Sequence, residues 1–178
     1  MKTYLTYGFY MALGSALLVL AVFFLGLHSD PTKLSLAQWV QGCGGLGIAI
    51  ACIIFGTKAR RAEVPVTEEF AYGSALGSGV MITLFAALFG IVTTYLYTAV
   101  INPNFTEVTM QAQAAAFEAK GVPTDKIEQI QKITAAMMKP PIQAAFGFVF
   151  GMLFGTIISL ITAAFLKRAA SDEPPAMA

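Results

Sequence analysis

Residues 70–106, FAYGSALGSGVMITLFAALFGIVTTYLYTAVINPNFT, run for 37 positions without one charged side chain. An ordinary soluble domain is about 25% charged, so a run of this length is foreign to it. Lipid is the solvent that demands such a run, because an unpaired charge at bilayer depth costs several kcal/mol. About 20 apolar residues in a helix suffice to cross the hydrocarbon layer. Three more charge-free windows, 3–29, 34–57 and 140–166, bring the total to 115 of 178 residues. All charged side chains fall in the remaining 63 positions. The expected fold class is an all-α integral membrane protein with four transmembrane helices and an extramembrane helical hairpin between helices three and four. A single domain is expected over 1–168, with helices at about 4–27, 36–57, 70–101 and 141–166, the hairpin at about 104–139 and a disordered cytoplasmic tail over 169–178.

Composition agrees: 57% of residues are hydrophobic, 12% are charged, and the mean hydropathy is +0.70. The net charge of +1 gives no basic surface, and no stretch interleaves dense basic residues with stacking aromatics, which argues against nucleic-acid binding. Cys43 and Cys52 are nine residues apart in one apolar window. On a helix that spacing turns about 900°, so they point to opposite faces and read as small packing residues. The first window is too long for the apolar region of a signal peptide and lacks a clean small-x-small site after it, so it reads as a retained helix.

Local signals set the joints. Tyr4, Tyr7 and Tyr10 form an aromatic belt at the start of helix one, and Tyr72, Tyr95 and Tyr97 mark the ends of helix three. Ser35 with Gln38 reads as a capping box, Thr67 as the cap of helix three with Glu68 and Glu69 in its first turn, and Asn104 with Glu107 as a further box. Gly121 followed by Pro123 ends the first hairpin helix. Thr124 begins the second, where Ile127, Ile130, Ile133, Thr134, Met137 and Met138 share a face and Glu128 and Lys132 form an i,i+4 pair. Lys2, Lys58, Arg60, Arg61, Lys167 and Arg168 all flank the spans at one end. The positive-inside rule therefore places both termini in the cytoplasm and the hairpin outside.

The most regular pattern lies in helix four, where Gly147, Gly151 and Gly155 repeat every four residues and Ser159 continues the series. Small residues at this spacing form a groove that lets another helix approach closely. Helix three offers Gly73 and Gly77. Two readings stand for these residues: packing of helix four on its own neighbours, or an oligomer interface. The first predicts that Gly151→Leu destroys the fold; the second predicts loss of a dimer alone.

Buried ionisable chemistry is thin. No Asp, Glu, Lys, Arg or His lies within an expected span, whereas proton- or cation-coupled carriers need such a group at depth. His28, the sole histidine, reads as an exposed loop residue. Gln41, Gln143, Thr83, Thr93, Thr94, Thr156, Ser159 and Thr162 read as polar groups bonded to backbone carbonyls or across helices. Asn104-Phe105-Thr106 matches a glycosylation sequon, meaningful only in a eukaryotic secretory setting. There is no nucleophile–His–acid set, no phosphate loop and no metal-ligand spacing, so no catalytic residue, cofactor or metal is expected.

Several stretches carry a resemblance: Thr6-Tyr7-Gly8-Phe9-Tyr10, Gln129-Ile130, and Lys139-Pro140-Pro141 leading into Gly147-x-x-x-Gly151. With these the chain resembles a bacterial family of four-helix membrane proteins, a domain of unknown function numbered 4199, along its length to about Lys167. The resemblance implies a bacterial inner-membrane location and the same topology, and it supplies no site residues. The expected function is that of a non-enzymatic accessory, assembly or interaction component, with the lipid bilayer as solvent and a protein partner held by the hairpin. The alternative is a small channel or transporter formed by a homo-oligomer.

Overall fold

The computed structural model describes residues 1–171; of the tail expected to be disordered, 172–178 lie outside the described residues. The described chain is helical: α1 (Lys2–Phe24), α2 (Leu34–Ala62), α3 (Tyr72–Leu96) continued by a π turn (Tyr97–Ile101), α4 (Phe105–Glu118), α5 (Thr124–Met137) and α6 (Pro140–Leu166). Four of these, Lys2–Phe24, Leu34–Ala62, Tyr72–Ile101 and Pro140–Leu166, are long and apolar enough to cross a membrane. Among the described residues there is no strand, only one antiparallel bridge between Phe70 and Arg168.

The helix ends follow backbone hydrogen bonding more than side-chain capping. α1 stops at Phe24, short of the expected Leu27, because Gly26 adopts φ +73°. Gly26 N–H then donates to the Phe23 carbonyl and Leu27 N–H to Val22, a Schellman closure. Gly121 (φ +71°) ends α4 the same way, with Gly121 N–H on Glu118 and Val122 N–H on Phe117. The expected boxes at Ser35 and Asn104 do not form. α2 already begins at Leu34, with Lys33 at the N-cap, and neither Lys33 nor Asn104 makes a side-chain cap bond. Nor does Thr67 cap α3, which starts at Tyr72; Thr67, Glu68 and Glu69 stay in the link because buried Phe70 is held extended against Arg168. α2 continues to Ala62, with Arg60 and Arg61 in its last turn, where cations favour the negative end of the helix dipole.

α3 is the central element, packed against α1, α2 and α6, while α1 and α6 share no extended contact. α3 and α6 run antiparallel and interlock through small residues. A Cβ on Gly79 would lie 2.7 Å from Ser159 Cβ, and one on Gly155 would lie 2.9 Å from Thr83 Cβ. The hydroxyls at this joint turn back on their own helices, Thr83 to the Gly79 carbonyl (2.9 Å) and Ser159 to the Gly155 carbonyl (2.7 Å). Both hydroxyls are thus satisfied within their own helices although they lie in the seam. α1 and α2 approach equally closely at the same level. A Cβ on Gly8 would meet Phe85 Cβ at 2.6 Å, and one on Gly56 would meet Tyr7 Cγ at 2.9 Å.

A collar closes this end. Phe70 and Arg168 exchange two backbone hydrogen bonds of 2.9 Å, and Ser171 N–H donates to the Val66 carbonyl. The Arg168 guanidinium donates to the carbonyls of Val64 (3.0 Å) and Pro65 (2.8 Å). Arg61 reaches the Leu166 carbonyl at the end of α6, and Arg60 bonds Tyr4 (3.0 Å) and Glu63 (2.8 Å). The six flanking basic residues of the sequence therefore gather at one end of the bundle, opposite α4 and α5.

Candidate functional site

The other half of the bundle is not closed. Between α1, α3 and the first half of α6 lies a cavity of about 490 Å³. This is the size range of small-molecule sites. Its floor is Thr83, Ala86 and Ala87, next to the interlock; its walls include Ser15, Ala16 and Val19 of α1, Gly90, Thr93 and Thr94 of α3, and Gly147 and Gly151 of α6. The space exists because the wall residues are small. Nothing stands within 4 Å of a Cβ built on Gly90 or Gly147, and one on Gly151 would reach only Ala87 Cβ, at 4.0 Å.

The mouth nearest α4 is polar. His28, Gln41, Tyr97, Thr98, Gln143 and Phe105 line it. His28 is 2% exposed, which corrects its reading as an exposed loop residue. The Schellman turn at Gly26 swings the link under the bundle, and the imidazole enters a ring of aromatics. Its centroid lies 5.0 Å from Phe105 and 5.6 Å from Tyr97, and Phe23 stands edge-on to Tyr97 at 6.0 Å. The rest of the link is held by Asp30, whose carboxylate accepts from Thr32 N–H (2.9 Å) and Oγ1 (2.6 Å) and pairs with Lys33 (3.3 Å). Those Thr32 bonds hold the Asp30 carboxyl below its ordinary pKa.

Inside the ring a hydrogen-bonded chain runs Gln41–His28–Tyr97–Asn102. Gln41 Nε2 lies 2.7 Å from His28 Nε2, His28 Nδ1 contacts the Tyr97 hydroxyl, and Asn102 Nδ2 donates to that hydroxyl at 2.9 Å. Tyr97 and Asn102 are each only 7% exposed. Tyr97 is therefore not placed as an interfacial tyrosine would be, whereas Tyr95 is exposed. The π turn explains the difference. In an α-helix, residues five apart diverge by about 140°. The π winding bonds Asn102 N–H to the Tyr97 carbonyl at 2.7 Å and brings the two side chains to one side. Burial pushes the His28 imidazole below its ordinary value of 6.5, so the ring is neutral at pH 7.

The chemistry available here is hydrogen bonding. Among the described residues no three His, Cys, Asp or Glu side chains come together as a metal site. Gln143 donates to the Met138 carbonyl (3.0 Å), Thr93 to Gly90 and Thr162 to Ser159.

The small residues singled out in the sequence separate into three places. Gly155 and Ser159 lie in the α3–α6 interlock, facing Gly79 and Thr83; Gly147 and Gly151 line the cavity; Gly73 and Gly77 face outward with nothing within 4 Å of a Cβ. Sequence reasoning passed over Gly79 as the partner of this joint, although Gly79-x-x-x-Thr83 has the small-residue spacing. It also passed over Asn102 and Phe105, for which no local signal exists; for His28 the signal was Gly26, a glycine placed to end α1.

No curated protein and no solved structure matches the chain. One family does, over residues 6–168, nearly the whole length of the sequence and all four long apolar helices. The chain belongs to the family described as protein of unknown function (DUF4199).

Proposed function

We propose that the chain is a non-catalytic component of the bacterial inner membrane, an accessory, assembly or interaction protein that crosses the bilayer four times. Both termini are cytoplasmic and the α4–α5 hairpin is external. The observation that carries this reading is the segregation of the bundle's ends. Lys2, Lys58, Arg60, Arg61, Lys167 and Arg168 cluster at the collar, while windows 3–29, 34–57, 70–106 and 140–166 hold no charge. The hairpin is the part best suited to a protein partner. α5 buries Ile127 yet leaves Ile133 and Met137, one turn apart on a neighbouring face, exposed, and Thr134 ties it to Gln113 of α4. A reporter active in the cytoplasm at the C-terminus and a periplasmic one inserted at Gly121 test the topology; the reverse pattern sinks it. Native pull-down through a C-terminal tag tests the partner. Recovery of a specific protein, lost on Ile133→Lys, supports the reading; recovery of none overturns it.

A second reading, a channel or transporter built by several copies, draws on Gly73 and Gly77, whose outward faces leave room for a helix of a second copy. Within one chain the cavity ends at the Thr83–Gly155 contact, so a path would have to form between copies. Flux in liposomes that disappears with Gly77→Leu supports this reading; no flux at any protein density rejects it.

A further inference from the structure

A second cleft, of about 410 Å³, lies at the collar end, where the start of α1, the end of α2 and the start of α3 part. Deeper in the bundle these helices touch: Gly8 backs onto Phe85, and Gly56 onto Tyr7 and Ile82. Toward the collar they separate, and nothing stands within 4 Å of a Cβ built on Gly77, which lines the cleft. Polarity changes along its length. The collar end is lined by Tyr4, Arg60, Glu68 and Glu69, the deep end by Gly77 and Met81. Met81 lies nine residues beyond Tyr72, where α3 starts, or about 14 Å along the helix axis. A headgroup layer is only about 5–8 Å deep, so on a membrane-spanning bundle the cleft begins among headgroups and ends among acyl chains.

The charges at the collar end have both signs, and each has unused capacity. The Arg60 guanidinium is fixed by two neighbours, Nε donating to the Tyr4 hydroxyl (3.0 Å) and Nη1 to Glu63 (2.8 Å). Its Nη2 has no acceptor among the described residues. A guanidinium cannot accept, so the Tyr4 oxygen is the acceptor there and keeps its own proton to donate. The Glu68 and Glu69 carboxylates make no ion pair and no hydrogen bond among the described residues, although the basic side chains gather at this end.

We propose that this cleft holds a bilayer phospholipid whose headgroup carries both a phosphate and a primary ammonium, as phosphatidylethanolamine does. The phosphate sits on Arg60 and Tyr4, the ammonium on Glu68 and Glu69, and an acyl chain runs over Gly77 and Met81. The lining discriminates among headgroups by charge. A purely anionic head, that of phosphatidylglycerol, gains Arg60 but meets two carboxylates. A choline head has both charges yet no N–H to give a carboxylate. A water-soluble phosphate ester of the same amine leaves the deep end uncovered. Glu63 holds Arg60 without lining the cleft, so Nη2 stays available for a charge-assisted bond to phosphate.

This inference rests on the membrane placement proposed above and is independent of any protein partner. The test places the full chain in vesicles of phosphatidylethanolamine, phosphatidylglycerol and phosphatidylcholine in equal parts. Native mass spectrometry then identifies the lipid retained on the protein. Phosphatidylethanolamine is expected about tenfold above either of the others, the effect of one hydrogen bond between charged groups. Retention should fall stepwise when its mono- and dimethylated forms replace it. Glu68→Gln combined with Glu69→Gln, at exposed positions with no partner to lose, should leave the fold intact and bring phosphatidylethanolamine level with phosphatidylcholine. Arg60→Gln should lower retention of all three lipids. Gly77→Leu should displace phosphatidylethanolamine, and Gly147→Leu, in the other cavity, should not. Equal retention of the three lipids, a preference for phosphatidylglycerol, or a preference for phosphatidylethanolamine that survives the paired glutamine variant overturns the proposal. Glycerophosphoethanolamine that displaces the lipid at equal concentration assigns the cleft to a soluble ligand and overturns the choice of a bilayer occupant. Protein that fails to float with the vesicles breaks the membrane placement instead; protein that floats but retains no preferred lipid breaks the headgroup site alone.

Discussion

At Gly155 a Cβ would lie 2.9 Å from Thr83 Cβ; about two turns earlier on the same helix, at Gly147, nothing stands within 4 Å of one. The two glycines belong to one four-residue repeat and occupy opposite environments. Toward the collar, small residues are spent on close approach of backbones, and the reward is van der Waals contact, the main source of helix association in lipid. Toward the hairpin, the same residue type leaves a space bounded by His28, Tyr97 and Asn102. A repeat of small residues thus says where a helix can be approached. It does not say whether another helix or a ligand does the approaching.

The sharpest test of this contrast is a matched pair. Gly155→Leu should cost about 3 kcal/mol or more, read as loss of the folded monomer in detergent, because the α3 backbone cannot retreat from an interlocked seam. Gly147→Leu, entering empty space, should stay within about 1 kcal/mol of the unaltered protein in the same thermal scan. Equal losses would show that the two halves are packed alike.

Next in size is the collar. Arg168→Ala removes charge-assisted hydrogen bonds to Val64 and Pro65 and should cost about 1.5–3 kcal/mol. Arg168→Lys should restore only part of it, since the one nitrogen that donates to both carbonyls, Nη2, lies at the end of a longer side chain than lysine's ammonium. Full rescue by lysine would show that charge alone holds the collar.

At the hairpin end, Tyr97→Phe removes the acceptor shared by His28 and Asn102 and should cost about 1–2 kcal/mol by denaturant unfolding in detergent. The same network makes this end sensitive to acid. His28 has a pKa depressed by burial, so the unfolded chain binds a proton more readily than the folded one as pH falls below 6.5. Stability is therefore fully present above 6.5 and declines as pH drops through the folded value. His28→Gln should flatten that decline, measured as melting temperature between pH 7.5 and 5; an unchanged slope would assign it to other groups. The smallest effect is expected at Gly77→Leu, which should leave monomer stability within about 0.5 kcal/mol.

Much of this architecture was legible in the chain. The four charge-free windows correspond to the four long helices, Gly121 ends α4 as its position required, and α6 opens at Pro140, one residue before the expected start at 141. Boundaries failed where a capping rule competed with a backbone closure or a distant contact. Ser35 and Thr67 are good caps in isolation, but the α2–α3 link is fixed by Phe70 pairing with Arg168, nearly a hundred residues away. The candidate site was barely legible. His28 sits in a short polar link that reads as solvent-exposed, and Tyr97 sits where an interfacial tyrosine belongs. Their meeting depends on a π turn that no residue pattern in Tyr97–Ile101 announces.

The sequence by itself determined the gross plan, four helices long and apolar enough to cross a membrane. Partition into an apolar phase is a sum over neighbouring side chains, and a sum of that kind can be read window by window. Only the tertiary structure decided which glycines touch and which stand open, and that His28 and Tyr97, 69 residues apart, share a hydrogen bond inside an aromatic ring. Contacts of this kind are set by how α3 lies against α1 and α6. Every small residue along those helices permits such packing, and only the assembled bundle selects among them.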